Sequence, residues 1–288
     1  MSFQRMGSQD LDYSPCRYGA SRVTFRGPRC DLSRPHALFF GGTSVYGKFL
    51  RDPLPDLVGQ RSGLRCVNLG VVNAGVDLYL KDQALLDMTA RARVTVLGDV
   101  SLQNMSNRFY SVHPRRNDRF LSATPLLRTI FRDVDFTPFH FTGHLLQRLH
   151  SLSPVRFADI QAELKEAWGA RMRTLISRIS GPVILHRIAP RVAKGSSAEA
   201  SIVRVDDLLT ADAAMFAALR PLVVDVITTS PADAALARDA EGLVFSQLET
   251  SAAQSQFGAP VYEEAAADLA PILRRFAPLP QSVKTGPP

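Results

Sequence analysis

Three short apolar runs, each ending in glycine, constrain the fold of this chain more than any other feature. His36-Ala-Leu-Phe-Phe runs into Gly41-Gly42, Leu64-Arg-Cys-Val-Asn-Leu into Gly70, and Arg93-Val-Thr-Val-Leu into Gly98. Continuous apolar runs of this length suit parallel strands buried on both faces. Helical patterns separate them. Residues 45–58 form one, broken near Pro53 and Pro55, and residues 75–92 another, with Leu78, Leu80, Leu85, Leu86 and Met88 as its apolar stripe. Alternating strands and helices predict βαβ units, and two further apolar runs at 182–189 and 222–227 extend the sheet. The expected fold is α/β, a three-layer sandwich with a mostly parallel sheet of about five strands. All the glycine-bearing strand ends then share one edge, where such sheets bind ligands.

The remaining segments sort around that frame. Residues 1–35 read as an irregular arm packed on the domain, with Tyr18 and Phe25 as anchors. Residues 36–276 read as one domain and 277–288 as a tail. A helical insertion spans 123–180, with helices at 124–131, 137–152 and 154–179. A polar loop covers 189–201, a turn and helix follow at 203–218, and a helix at 263–276 closes the domain. With 45% hydrophobic residues over 288 positions, the chain can bury a core, which excludes a disordered protein. No window reaches the roughly 18 apolar residues of a membrane helix, and no apolar stretch follows Arg5 as a secretory leader would require. Cys16, Cys30 and Cys66 are odd in number and widely spaced, which predicts reduced thiols in a cytoplasmic protein.

The turn Gly41-Gly42-Thr43-Ser44-Val45-Tyr46-Gly47 follows the first strand. A hydroxyl there sits at a helix start, where an oxyanion is stabilised. The turn lacks the GxGxxG dinucleotide spacing and the GK[ST] of a phosphate loop, so no cofactor is expected. It resembles block I of the SGNH (GDSL-type) hydrolases, Gly-Asp-Ser-x-x-x-Gly, with Gly41 and Gly47 in register and Thr43 at the hydroxyl position. Val67-Asn68-Leu69-Gly70 through Gly75 resembles block II, and Gly98 followed by Asn104 resembles block III. The likeness covers roughly residues 36–110 and implies an SGNH- or flavodoxin-like fold. The stretch from Asn104 through His113 to Phe120 also resembles an uncharacterised bacterial family with the same layout. The resemblance assigns Thr43 or Ser44 as nucleophile and the Gly75 N–H and Asn104 as oxyanion donors. The chain departs from the pattern at Gly42, where the family has Asp, and at Tyr262, where its last block has the catalytic His. All six histidines lie at or before His186, which leaves His113, His140 or His186 to reach the edge as base, with His113 carried as the candidate.

The basic charge is uneven. Residues 1–150 hold 20 Lys and Arg against 12 Asp and Glu, and residues 151–288 hold 14 against 15. The excess gathers in the arm (Arg17, Arg22, Arg26, Arg29, Arg34) and in the loop 104–120. Arg forks grip carboxylate or phosphate, and aromatics stack on sugars. That pattern predicts an anion clamp from Asn107, Arg108, Tyr110, Arg115 and Arg116, completed by Gly42 and Tyr46. No nucleic-acid module accompanies the charge, which argues against a nucleic-acid partner. His140 and His144 at i, i+4 suit one helix face, yet no third ligand is evident, so no metal is expected. The expected activity is an SGNH-like ester or acyl-group hydrolase or transferase acting on a carbohydrate or anionic acyl substrate. The alternative is a catalytically degenerate member that binds a glycan, an anionic ligand or a protein.

Overall fold

The computed structural model describes residues 11–190, 208–238 and 240–278. Its centre is a five-stranded, wholly parallel sheet in the order β2-β1-β3-β6-β7. The strands are β1 (His36–Gly41), β2 (Arg65–Gly70), β3 (Val94–Leu97), β6 (Val183–Ile188) and β7 (Asp225–Thr229). Helices on both faces make it the expected three-layer α/β sandwich, and β1 to β3 and β6 are buried nearly throughout, as their unbroken apolar runs require.

The pleat divides the core. Ala37, Phe39, Val94, Val96 and Ile184 face α2 (Leu54–Ser62) and the closing helix α11 (Ala259–Leu273). Leu38, Phe40, Val67, Leu69 and Leu185 face α3 (Val76–Leu80), α4 (Gln83–Thr89) and the long helix α7 (Pro154–Arg178). Trp168, at the centre of the α7 stripe, is fully buried and donates its indole N–H to the Val100 carbonyl at 3.3 Å.

Several boundaries differ from the sequence expectation. Residues 45–58 hold two helices, α1 (Thr43–Tyr46) and α2, because Pro53 caps a new start. Residues 75–92 also split, since the Asp82 carboxylate accepts the Leu85 N–H and begins α4 afresh. The loop 101–120 is not wholly irregular. It contains β4 (Tyr110–Val112), which pairs antiparallel with β5 (Phe120–Ala123) in a second small sheet. Helices α5 (Pro125–Ile130) and α6 (Thr142–Leu152) follow. His140 therefore precedes α6 and His144 lies within it, so the two do not share a helix face. The fifth strand starts three residues late, because Pro221 holds Arg220–Leu222 in a 3-10 turn. Short helices α8 (Ala213–Ala217), α9 (Asp233–Leu236) and α10 (Thr250–Ala253) lead to α11, which starts at Ala259 rather than 263 and passes into a 3-10 turn at Arg274–Phe276. Residues 191–207, most of the expected polar loop, and 279–288 of the tail lie outside the described residues.

In the described part of the arm, Tyr18 and Phe25 are each 1% exposed, and residues 16 and 25 are bridged. Arg26 is buried under it. Its guanidinium donates to the carbonyls of Tyr46, Gly47, Leu50 and Arg51, tying the arm to the segment after α1.

Candidate functional site

The sheet order places β1 beside β3 while the chain leaves them in opposite directions. Parallel sheets open a crevice at such a switch point. Here a cavity of about 570 Å³ opens at the carboxyl ends of these strands, lined by Gly42, Thr43 and Ser44 after β1 and by Asp99, Val100, Ser101, Gln103 and Asn104 after β3. Asn73, Asp118, Phe141 and Thr142 close one side, and residues 209–211 with Ser255, Gln256, Phe257 and Tyr262 the other.

The glycines bring these walls together. Gly42 donates its N–H to the Asp99 carbonyl at 2.7 Å, and a Cβ on Gly42 would stand 2.9 Å from that oxygen. A Cβ on Gly75 would stand 1.7 Å from the Asn104 carbonyl. Only hydrogen fits at either place.

Thr43 anchors a polar network. Its hydroxyl accepts the Asn73 N–H at 3.0 Å and lies 3.4 Å from the Asn73 Oδ1. Asn73 holds a left-handed backbone, φ 57°, and passes its amide hydrogen to Asp118 at 3.4 Å. Asn104 Nδ2 donates to the Asn73 carbonyl at 2.8 Å, and its Oδ1 accepts from Thr142 at 2.6 Å. Thr43, Asn73, Asn104, Asp118 and Thr142 are thus one connected set on the cavity wall.

Of the residues that sequence reasoning singled out, Gly42, Thr43, Ser44 and Asn104 line the cavity. Gly75 stands behind the wall and donates its N–H to Asn117 Oδ1 at 3.2 Å. The lone Gly75 hydrogen and one of the two on Asn104 are therefore already committed to protein acceptors. The others serve elsewhere. Asn107 accepts the N–H groups of Phe109 and Tyr110 and shapes a turn. Tyr110 is buried and donates to the Gln103 carbonyl at 2.7 Å. Arg108 pairs with Glu163 on α7, the Nε–Oε2 distance being 2.6 Å. Tyr46 packs on Tyr13, ring centroids 5.4 Å apart. Arg115 and Arg116 are exposed, and their N–H groups donate to the Nδ1 of His113. None of Tyr46, Asn107, Arg108, Tyr110, His113, Arg115 and Arg116 lines the cavity.

Instead the lining among the described residues is hydroxyls, amides, aromatic rings and two carboxylates, with no Arg, Lys or His. Tyr262 stands in the wall itself, in the first turn of α11. Asp99 is the residue that sequence reasoning missed. It follows Gly98 directly at the carboxyl end of a central strand, and that position was its signal. Burial lifts its carboxyl to about 7, against the pull of Arg187 and of the Ile188 N–H. Arg187 is itself buried, with no partner for its Nε. A group poised near neutrality in a cavity is the usual setting of proton transfer.

His186 is far from this role. Its Nε2 donates to the Thr229 hydroxyl at 3.2 Å, and Thr229 donates to Asp268 at 2.8 Å. Burial pushes the imidazole down to about 4, so it stays neutral within the layer facing α11. Among the described residues no cluster of His, Cys, Asp and Glu is set to hold a metal, and Cys16, Cys30 and Cys66 are free thiols.

The fold and site thus define an α/β protein with a polar, acid-bearing cavity at the switch point of a five-stranded parallel sheet. The chain belongs to the family described as a domain of unknown function, DUF6473, whose model matches residues 1–277. No curated protein and no solved structure matches it, and the family match does not extend to the SGNH hydrolases. No helix among the described residues is long and apolar enough to cross a membrane.

Proposed function

We propose that this chain is a carbohydrate-binding protein whose cavity receives a polyhydroxylated group. The observation that carries this reading is the lining: two carboxylates, several amides and hydroxyls, three aromatic rings and no cation among the described residues. Carboxylates and amides accept and donate to sugar hydroxyls, and ring faces stack on the apolar face of a pyranose. The Thr43–Asn73–Asp118 set supplies a preorganised row of such groups. Glycan-array binding followed by calorimetry tests it. Asp118→Asn combined with Thr43→Val should weaken binding of a neutral glycan by roughly tenfold or more, the scale of one or two lost hydrogen bonds. Unchanged affinity in that variant refutes the assignment.

A second reading, acyl or ester chemistry at Thr43 or Ser44, is favoured by Asp99 alone. Asp99 shares the cavity with both hydroxyls and titrates near neutrality, as a general base must. A fluorophosphonate probe should then label Thr43 or Ser44, and Asp99→Asn should abolish the labelling. Absence of labelling in the unmodified protein removes this reading and leaves the binding one standing.

A further inference from the structure

A second depression, of about 350 Å³, is lined by His113, Arg116, Arg119, Phe120, Leu121 and His140, on and beside the β4–β5 hairpin. It differs from the cavity in sign: no acidic residue lines it, and four of its six residues carry nitrogen donors. The loop that builds it is held by its own backbone. His113 donates its N–H to the Arg119 carbonyl at 2.9 Å, and Arg119 donates its N–H to the Arg116 carbonyl at 2.8 Å. The His113 Nδ1 accepts two backbone N–H groups, from Arg115 at 3.2 Å and Arg116 at 3.1 Å. That nitrogen must keep its lone pair, so the ring hydrogen sits on Nε2 as a donor. Arg119 lies over the Phe141 ring, 4.3 Å from its centroid, which fixes the guanidinium plane without using its N–H groups. Neither Arg116 nor Arg119 has a carboxylate partner among the described residues. Arg108, by contrast, is neutralised by Glu163.

Two unpaired forks and two imidazoles converging on one hollow form a receptor for a compact oxyanion. The hollow also adjoins the cavity. Asp118 lines the cavity and Arg119 the groove, and Phe141 lines the cavity while carrying Arg119 on its ring.

We propose that the His113–Arg116–Arg119–His140 groove binds the phosphate group of a ligand whose polyhydroxylated part enters the cavity, that is, a phosphorylated carbohydrate. This rests on the carbohydrate reading of the cavity, so the test separates the two. Inorganic phosphate, glucose 6-phosphate and glucose are titrated into the full chain, the R116Q/R119Q variant and T43V. Inorganic phosphate should saturate the full chain at millimolar concentration, as exposed charge pairs allow, and bind the double variant at least about tenfold more weakly. T43V should bind inorganic phosphate as the full chain does. Glucose 6-phosphate should bind more tightly than inorganic phosphate to the full chain and lose that advantage in T43V. Absence of saturable phosphate binding, or equal binding by R116Q/R119Q, overturns the groove. Phosphate binding with glucose 6-phosphate no tighter than inorganic phosphate overturns the link to the cavity. Sulfate and acetate run in parallel, and tighter binding of either than of phosphate overturns the choice of anion.

Discussion

Asp99 offers the sharpest test of the site, because its environment acts on stability as well as on function. Burial raises its carboxyl from the ordinary 3.8 to about 7. An acid whose folded pKa exceeds its unfolded one binds more protons when folded across that interval. Stability therefore falls as pH rises from about 4 through 7, and the whole cost is felt above both values. A rise of roughly three units corresponds to about 4 kcal/mol as a ceiling. Asp99 lines a cavity open to water, so a realised effect of about 1–2 kcal/mol is the working figure. Asp99→Asn keeps the shape and an acceptor for the Ile188 N–H while removing the charge. At about pH 3, below both values, the variant and the parent should unfold at the same urea concentration, since the Asp99 carboxyl is then protonated in the folded and the unfolded chain alike. At about pH 8.5 the variant should be the more stable by about 1–2 kcal/mol. Urea unfolding followed by circular dichroism at the two values measures this directly. A variant that is less stable at the higher pH, or a stability difference that does not change with pH, refutes the assignment of Asp99 as a group held protonated by its surroundings.

Other consequences follow from single contacts. Gly75→Ala places a methyl against the Asn104 backbone, where neither side can give, and should cost about 2–4 kcal/mol of stability in denaturant unfolding. Arg26→Gln leaves most of four carbonyls, two of them buried, short of donors and should cost about 2–4 kcal/mol, with proteolysis rates at the arm rising in step. Thr229→Val strands the donor of His186 and removes the hydrogen bond to Asp268, which should lower the unfolding midpoint by the equivalent of about 1–3 kcal/mol without changing ligand affinity at the distant groove.

The sheet was legible because burial on both faces leaves an unmistakable mark: Leu38, Phe39 and Phe40 cannot be placed in any element exposed on one side. The glycine turns were legible for the same reason, since close approach admits nothing larger. The hairpin β4–β5 was not, because strands of three and four residues carry no periodicity to read and their register shifts at Ser111 and Val112. The fate of individual arginines was also hidden. Charge type is written in the sequence, but the partner is set by tertiary packing. Arg26 went under the arm, Arg108 to Glu163, and Arg119 onto Phe141, although all three looked alike as members of a basic half. Asp99 was passed over because an aspartate behind a glycine also suits an ordinary turn, and only the neighbouring strand ends show that burial holds it near neutrality.

The segment Asn117 to Phe120 explains how an acid-lined cavity and a basic groove can share a wall. Its end residues Asn117 and Phe120 are buried, and Asp118 and Arg119 between them are not. Asn117 reaches inward to the Gly75 N–H, Asp118 turns to the Asn73 amide and the cavity, and Arg119 turns to Phe141 and the groove. The segment is fixed by two backbone contacts to residues 140–142 at the start of α6, from Thr142 N–H to the Asp118 carbonyl at 3.0 Å and from Phe120 N–H to the His140 carbonyl at 3.1 Å. A slip of one residue along that stretch would carry, according to its direction, either the guanidinium into the cavity or the carboxylate into the groove, and either would spoil the separation of charge. The separation of sign thus depends on register rather than on composition. A basic excess counted along the first half of the chain could not reveal an acidic pocket at its centre, because oppositely charged neighbours in an extended segment cancel in sequence and separate in space.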